Sequence, residues 1–169
     1  MIRPSLEETA ALLASTRLFA GIAPESFTGI LEAGQVVNLA PGRVIYNRGD
    51  EAQCGFVLLS GRVELVETPY PGRRLSSQLF AAGSLFAEKG FVGPWVHKRQ
   101  CTAVEASSAL AITPEALTGR LEQSDAAAMR LIDSLLDVFV RNLRGANQRL
   151  DEIFSRPDRT LNQLRQMNN

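Results

Sequence analysis

Apolar residues along this chain change period twice, from helical to alternating and back to helical. Near the N-terminus Leu6, Leu12 and Leu13 supply one apolar face, and Ser5 with Glu8 three residues on forms a capping-box pattern that predicts a helix start. Pro24 suits the first turn of a second short helix carrying Phe27, Ile30 and Leu31, which should stop near Gly34. From Val36 to about Ile112 short, partly alternating apolar runs are separated by Gly, Pro and Asp. They are Val36–Leu39, Val44–Tyr46, Phe56–Leu59, Val63–Val66, Leu75–Phe80, Cys101–Val104 and Leu110–Ile112. Strands this short and this regularly punctuated predict a sandwich or barrel-like roll.

The helical period then returns. Thr113-Pro114-Glu115 reads as an N-cap followed by proline, predicting a short helix over about 114–121. After Ser124-Asp125 no proline occurs until Pro157. Over that run Met129, Ile132, Leu136, Phe139, Leu143, Ala146, Leu150 and Ile153 recur by threes and fours. This is a coiled-coil seam of more than three heptads, roughly 36 Å long. Leu131, Leu135 and Val138 widen the apolar surface, so one face is expected to pack on the roll while another meets a partner helix. The alternative is a single intramolecular packing stripe. Expected regions are therefore N-terminal helices (1–34), a roll (35–113), C-terminal helices (114–155) and a polar tail (156–169). The fold class is mainly β with flanking helices, a double-stranded β-helix or jelly roll with a long dimerisation helix.

Composition narrows the function classes. The 169 residues hold 18 Lys+Arg against 18 Asp+Glu, with 45% hydrophobic and 21% charged residues. That is an ordinary globular balance, not a disordered or membrane-embedded one. Zero net charge argues against non-specific nucleic-acid binding as the main role. The start, Met1-Ile2-Arg3-Pro4-Ser5-Leu6-Glu7-Glu8, carries early acids and no apolar core of a signal peptide, so a cytoplasmic protein is expected. From Arg141 onward six arginines face three acids. A helix-turn-helix needs two further helices, and the sequence ends first, so no DNA reading is expected.

Catalytic chemistry is not evident. There is no Ser/His/Asp arrangement, phosphate-binding Walker loop or zinc spacing, so no enzyme and no metal site is expected. Two cysteines, Cys54 and Cys101, in strand-like contexts read as buried inert thiols. His97, the only histidine, sits beside two basic residues and is expected in solvent. Trp95 either stacks on a base or packs on the rim of the roll. Arg73-Arg74, in the hairpin loop after Pro69-Tyr70-Pro71-Gly72, are expected at a solvated tip.

One stretch carries a more specific signal. Pro41-Gly42-Arg43-Val44-Ile45-Tyr46-Asn47-Arg48-Gly49-Asp50 is followed by Phe56-Val57-Leu58-Leu59-Ser60-Gly61-Arg62-Val63. Pro-Gly sets a tight turn before a strand, Gly-Asp another after it, and Gly61 permits positive φ between strands. This pattern closely resembles the cyclic nucleotide-binding domain family over about residues 16–155. That family's phosphate-binding cassette, G-x-x-F-G-E followed by R-x-A-T, is similar to Gly83-Ser84-Leu85-Phe86-Ala87-Glu88 and Arg99-Gln100-Cys101-Thr102 here, placing the cassette at 83–102.

The resemblance implies a ligand, cyclic AMP or cyclic GMP, and roles for specific residues. Glu88 would bind the ribose 2′-OH and Arg99 the cyclic phosphate, with the amides of Ala87, Lys89 and Gly90 lining the site. Gln100 would donate a further hydrogen bond. Chemically, an Arg offers a forked donor to phosphate oxygens, and a carboxylate accepts from a ribose hydroxyl. Departures from the family pattern are Ala87 for the usual Gly, Lys89 where an apolar residue packs under the roll, and Arg99 eleven residues after Glu88, which makes Lys98 an alternative phosphate ligand. Relatives use the long helix to dimerise and to contact the base, which puts Asn147, with its donor and acceptor, near the base. The expected protein is a stand-alone receptor module that signals to a separate partner protein. The alternative is the same fold with a degenerate pocket, acting as a dimerising scaffold.

Overall fold

A computed structural model of the chain describes residues 5–67 and 76–155. The start of the chain through Pro4, the 69–74 hairpin loop and the 156–169 tail lie outside these described residues. Two compact units divide the chain, one through Leu131 and one from Ile132.

The first unit is built around two four-stranded antiparallel sheets and a two-stranded one. Strands β1 (Gln35–Leu39), β10 (Ser107–Ile112), β4 (Gly55–Ser60) and β7 (Leu85–Phe86) form one sheet in the order β1-β10-β4-β7. Strands β2 (Val44–Tyr46), β9 (Gln100–Ala103), β5 (Arg62–Glu67) and β6 (Ser76–Ala81) form the second, in the order β2-β9-β5-β6. The small sheet pairs β3 (Glu51–Ala52) with β8 (Trp95–Val96). The expected runs each fall within a residue or a few of an observed strand. The three two-residue strands β3, β7 and β8 had no alternating signature, being too short to show a period.

The inward faces enclose Leu39, Tyr46, Leu58, Val63, Leu65, Phe86, Ala87, Cys101, Ala103 and Ala109. Strand β4 is covered on both faces, so Val57, Leu58 and Leu59 are all buried. This explains why it reads as a continuous apolar run. Behind β4 and β1 lie helices α1 (Leu6–Ser15) and α2 (Thr28–Ala33), which with the 3-10 turn Pro24–Phe27 bring Leu13, Phe27, Ile30 and Leu31 to a second buried layer. Phe19 and Phe27 meet edge to face there, with centroids 5.1 Å apart.

Helices α1, α3 and α4 each start at a side-chain cap, while α2 has none. Ser5 Oγ accepts from the Glu8 N–H at 3.1 Å, and Glu8 returns the contact to the Ser5 N–H at 2.7 Å. Thr113 Oγ1 accepts from the Ala116 N–H to open α3 (Pro114–Glu122). Buried Asp125 accepts from the Ala127 and Ala128 N–H groups at the start of α4 (Ala126–Ser155). Its second oxygen takes two donors from Arg120 at 3.0 and 2.8 Å. Gly29 makes this possible, because a Cβ there would lie 1.5 Å from Arg120 Nη2.

The second unit is the remainder of α4. Of the expected seam, Leu136, Leu143, Leu150 and Ile153 are exposed and Ile132, Phe139 and Ala146 half-buried. Met129, one seam position earlier and still in the first unit, is also exposed, as are Val140 and Phe154 beside the seam. No helix among the described residues is long and apolar enough to cross a membrane.

Candidate functional site

The site forms where β7 leaves its sheet. Phe86 is fully buried and stacked on Phe56 with centroids 4.8 Å apart, which fixes the exit of the strand. Ala87 then takes a left-handed conformation, φ 51° and ψ 37°, and starts a single 3-10 turn over Glu88–Phe91. Phe91 fills space against Gly55, where a Cβ would meet its ring at 2.1 Å. Gly90 is pressed against the Cys54 carbonyl, 2.1 Å from where its own Cβ would be. The turn is therefore held from below by two close backbone approaches that only glycine allows.

A pocket of about 180 Å³ opens above this turn, lined by Tyr46, Leu65, Ala87, Glu88, Lys89, Trp95, His97, Lys98 and Arg99. Two segments some ten residues apart supply its charges. The turn brings Glu88 and Lys89, and the stretch entering β9 brings Lys98 and Arg99. Glu88, Lys89 and Arg99 are half-buried and Lys98 is exposed at the rim. Arg99 Nη1 donates to Gln78 Oε1 on β6 over 3.4 Å, a long and weak restraint.

Several expectations need correction. His97 is not in solvent but buried, its ring stacked on Tyr46 at 3.6 Å with an interplanar angle of 9°. The reason is β8. The segment after Gly93 is not a free loop, because Trp95 and Val96 pair with β3, and the His97 N–H and C=O bond Asp50 and Gly49. These bonds turn the imidazole inward. Lys89, at a position where apolar packing is usual, does not lie under the roll. Its Nζ sits 3.5 Å from the centroid of the Trp95 ring at the pocket wall.

Gln100 does not line the pocket. Its amide donates to Asn47 Oδ1 at 2.9 Å, since alternation along the strand turns it away from Arg99's side. Gly90 is also absent from the lining, and its N–H is already given to the Ala87 carbonyl at 2.8 Å. A four-residue 3-10 turn offers little of the aligned dipole a longer helix would, so charge in this pocket comes from side chains. Asn147 is an exposed residue of α4 in the second unit.

The electrostatics follow from burial. Desolvation pushes the Tyr46 phenol well above its ordinary range, with Cys101 and the Glu88 charge adding to the effect and Arg99 opposing it. Glu88 and Arg99 thus both act on the same hydroxyl. Burial also holds His97 below its ordinary value, although Asp50 and Glu88 pull the other way. Cys101, buried beneath the pocket, is pushed up to about 12 mainly by desolvation, and half-buried Cys54 is raised for the same reason. Both are free thiols.

Tyr46, Leu65 and His97 are pocket residues that sequence reasoning did not assign to the site, and Trp95, read there as either a base-stacking or a rim residue, lines it. A strand of two residues carries no period from which this placement could be read.

The model of the family described as cyclic nucleotide-binding domain matches residues 36–124, just over half of the chain. The chain belongs to the cyclic nucleotide-binding domain family. Among relatives, the CRP-like cAMP-activated global transcriptional regulator of Mycobacterium tuberculosis is 24% identical over 158 residues, covering 92% of this chain and 69% of its own. The solved structure of the Thermus thermophilus catabolite activator protein superposes with a TM-score of 0.69 at 27% identity, covering 80% of this chain and 62% of that one. A cAMP-binding acyltransferase from Mycobacterium smegmatis shares the fold, with a TM-score of 0.61 at 21% identity over 76% of this chain and 40% of its own. The chain thus spans between two fifths and about two thirds of these proteins. Within the matched region, Ala87, Glu88, Lys89, Trp95, His97, Lys98 and Arg99 of the 83–102 segment line the pocket.

Proposed function

We propose that this family member is a receptor module for a cyclic nucleotide, cyclic AMP or cyclic GMP, and carries no catalysis of its own. In this reading Arg99 holds the cyclic phosphate, Glu88 accepts from the ribose 2′-OH, and Lys98 stands at the phosphate rim. The observation that supports it is the meeting of Glu88 and Arg99, eleven residues apart, in one pocket whose floor is rigid core. A carboxylate beside a guanidinium suits a ligand offering hydroxyl donors at one end and anionic acceptors at the other.

The exposed seam of α4 supports a homodimer through Met129, Ile132, Leu136, Phe139, Leu143, Ala146, Leu150 and Ile153, with Asn147 on the same helix available to a base. A ligand that contacts cassette and helix differently in two arrangements shifts their populations, and a separate partner protein reads the result.

The test is a thermal titration of ligand-stripped protein with cyclic AMP and cyclic GMP. At about 100 times Kd the stabilisation is roughly 2.7 kcal/mol, and Glu88→Ala and Arg99→Ala should each remove it. Absence of any shift, with unchanged behaviour of both variants, replaces the receptor by a dimerising scaffold.

A further inference from the structure

The pocket carries more positive charge than one cyclic phosphate uses. Its lining holds three cations, Lys89, Lys98 and Arg99, against the single carboxylate of Glu88. The buried His97 adds no positive charge at neutral pH, since burial holds it in the neutral form. A cyclic mononucleotide brings one negative charge, which Arg99 is placed to take. With Glu88 offsetting one of the three cations, one positive charge remains unmatched.

Lys89 is the informative one. It is half-buried rather than waving in solvent, and its Nζ is held 3.5 Å from the Trp95 centroid. Among the described residues it makes no ion pair with a carboxylate. Partly desolvated ammonium groups without a counter-charge are costly unless a ligand supplies one, and a cation–π contact returns only part of that cost. Trp95 and Lys98 are also walls of a second, larger cavity of about 720 Å³, bounded by Glu51, Gln53, Pro94 and Glu115. The two spaces share these two side chains, so the larger one begins at the wall formed by Trp95 and Lys98.

Resting on the assignment of Glu88 and Arg99 to a nucleotide, we propose that Lys89 and Lys98 form a second anion subsite beside Arg99, selecting a nucleotide that carries two negative charges. Two kinds of nucleotide supply the second charge: a cyclic dinucleotide through its second phosphodiester, or a nucleoside 5′-monophosphate through its second ionisation. The adjoining cavity has room for the second nucleoside of the former. The 5′-monophosphate would need only the small pocket.

Calorimetric titration of the full chain with cyclic AMP, cyclic di-GMP and 5′-AMP, at a pH above the second phosphate ionisation, tests this. At least one doubly charged ligand should bind about tenfold more tightly than cyclic AMP, the scale of one charge-assisted contact. Lys89→Gln should bring the two classes level, Lys89→Arg should keep the preference, and Lys98→Gln, at the exposed rim, should reduce it by less. Unchanged melting temperatures establish that the variants fold. Cyclic AMP binding as tightly as both others, with dependence on Glu88 and Arg99, overturns the second subsite and leaves the receptor intact. No binding by any of the three overturns both.

Discussion

The roll and the second unit treat their apolar residues in opposite ways. In the roll Phe86, Leu58, Val63 and Cys101 are sealed between sheets, and no buried side-chain nitrogen or oxygen among the described residues lacks a hydrogen-bond partner. In α4 beyond Ile132 a stripe at helical spacing stays open, with Leu143 63% and Phe154 79% exposed. Isolated exposed apolar residues are ordinary, but a contiguous stripe of this length marks an interaction surface. The roll encloses its apolar residues, whereas the helix leaves a stripe of them open.

The largest effect should come from breaking this contrast directly. Phe86→Ala empties a fully buried site stacked on Phe56 and should cost about 3–5 kcal/mol. It also undermines the exit of β7 that sets up the Glu88 turn, so ligand stabilisation should vanish with it. Leu143→Ser in the open stripe should do the reverse. Thermal stability at high dilution should change by no more than about 0.5 kcal/mol, while the dependence of Tm on protein concentration, expected for a dimer, is lost. Equal destabilisation by both variants at high dilution would erase the distinction between the two regions.

The same contrast explains what could be read from the sequence. The roll's longer strands and all four helices were legible, because alternation, capping boxes and Pro-Gly turns act locally. Val44–Tyr46 was located to the residue. Misreadings cluster where two-residue strands do the positioning. His97 looked like a basic loop residue because its neighbours Lys98 and Arg99 are charged. Its burial depends on β3, some 45 residues away in sequence, catching β8. Lys89 looked misplaced for the same reason, since its partner Trp95 is delivered by that pairing. The family resemblance pointed to Glu88 and Arg99, which line one pocket, and non-local pairing decided which further side chains enter it.

A smaller effect sharpens the comparison through pH. His97 is the chain's only histidine and it lies in the roll, so a titration near neutrality reports on that unit. Burial lowers its folded-state value below 6.5, against the partial opposition of Asp50 and Glu88. The unfolded chain therefore takes up the proton first. Stability should fall as pH drops through about 6.5 and level off below the folded value. His97→Phe keeps a ring against Tyr46 and should flatten this part of the profile. The exposed Arg62–Glu105 pair acts in a separate window. Its hydrogen bonds lower the Glu105 value below 4.5, so its small contribution fades only at more acid pH. A melting profile for His97→Phe identical to the parent's between pH 7.5 and 5.5 would mean the imidazole does not titrate with folding.

The smallest expected effect, and the most diagnostic for the site, concerns Ala87. Its φ of 51° lies in the left-handed region, where a β-carbon crowds the following carbonyl and costs roughly 1 kcal/mol. Ala87→Gly removes that strain but also gives the unfolded chain more freedom, a loss of about 0.4–1 kcal/mol. The two nearly cancel, so Tm should move little. Affinity is the sharper readout. With Ala87 the turn is held by Gly90 against the Cys54 carbonyl and by Phe91 against Gly55, so its conformation is fixed by packing alone. Glycine at 87 would widen the range of approach angles for the Glu88 carboxylate. Preorganisation predicts weaker binding by a few-fold in exchange for no stability. Tighter binding with glycine would mean instead that the alanine methyl stands in the ligand's way, and that the roll's rigidity stops one residue short of the pocket.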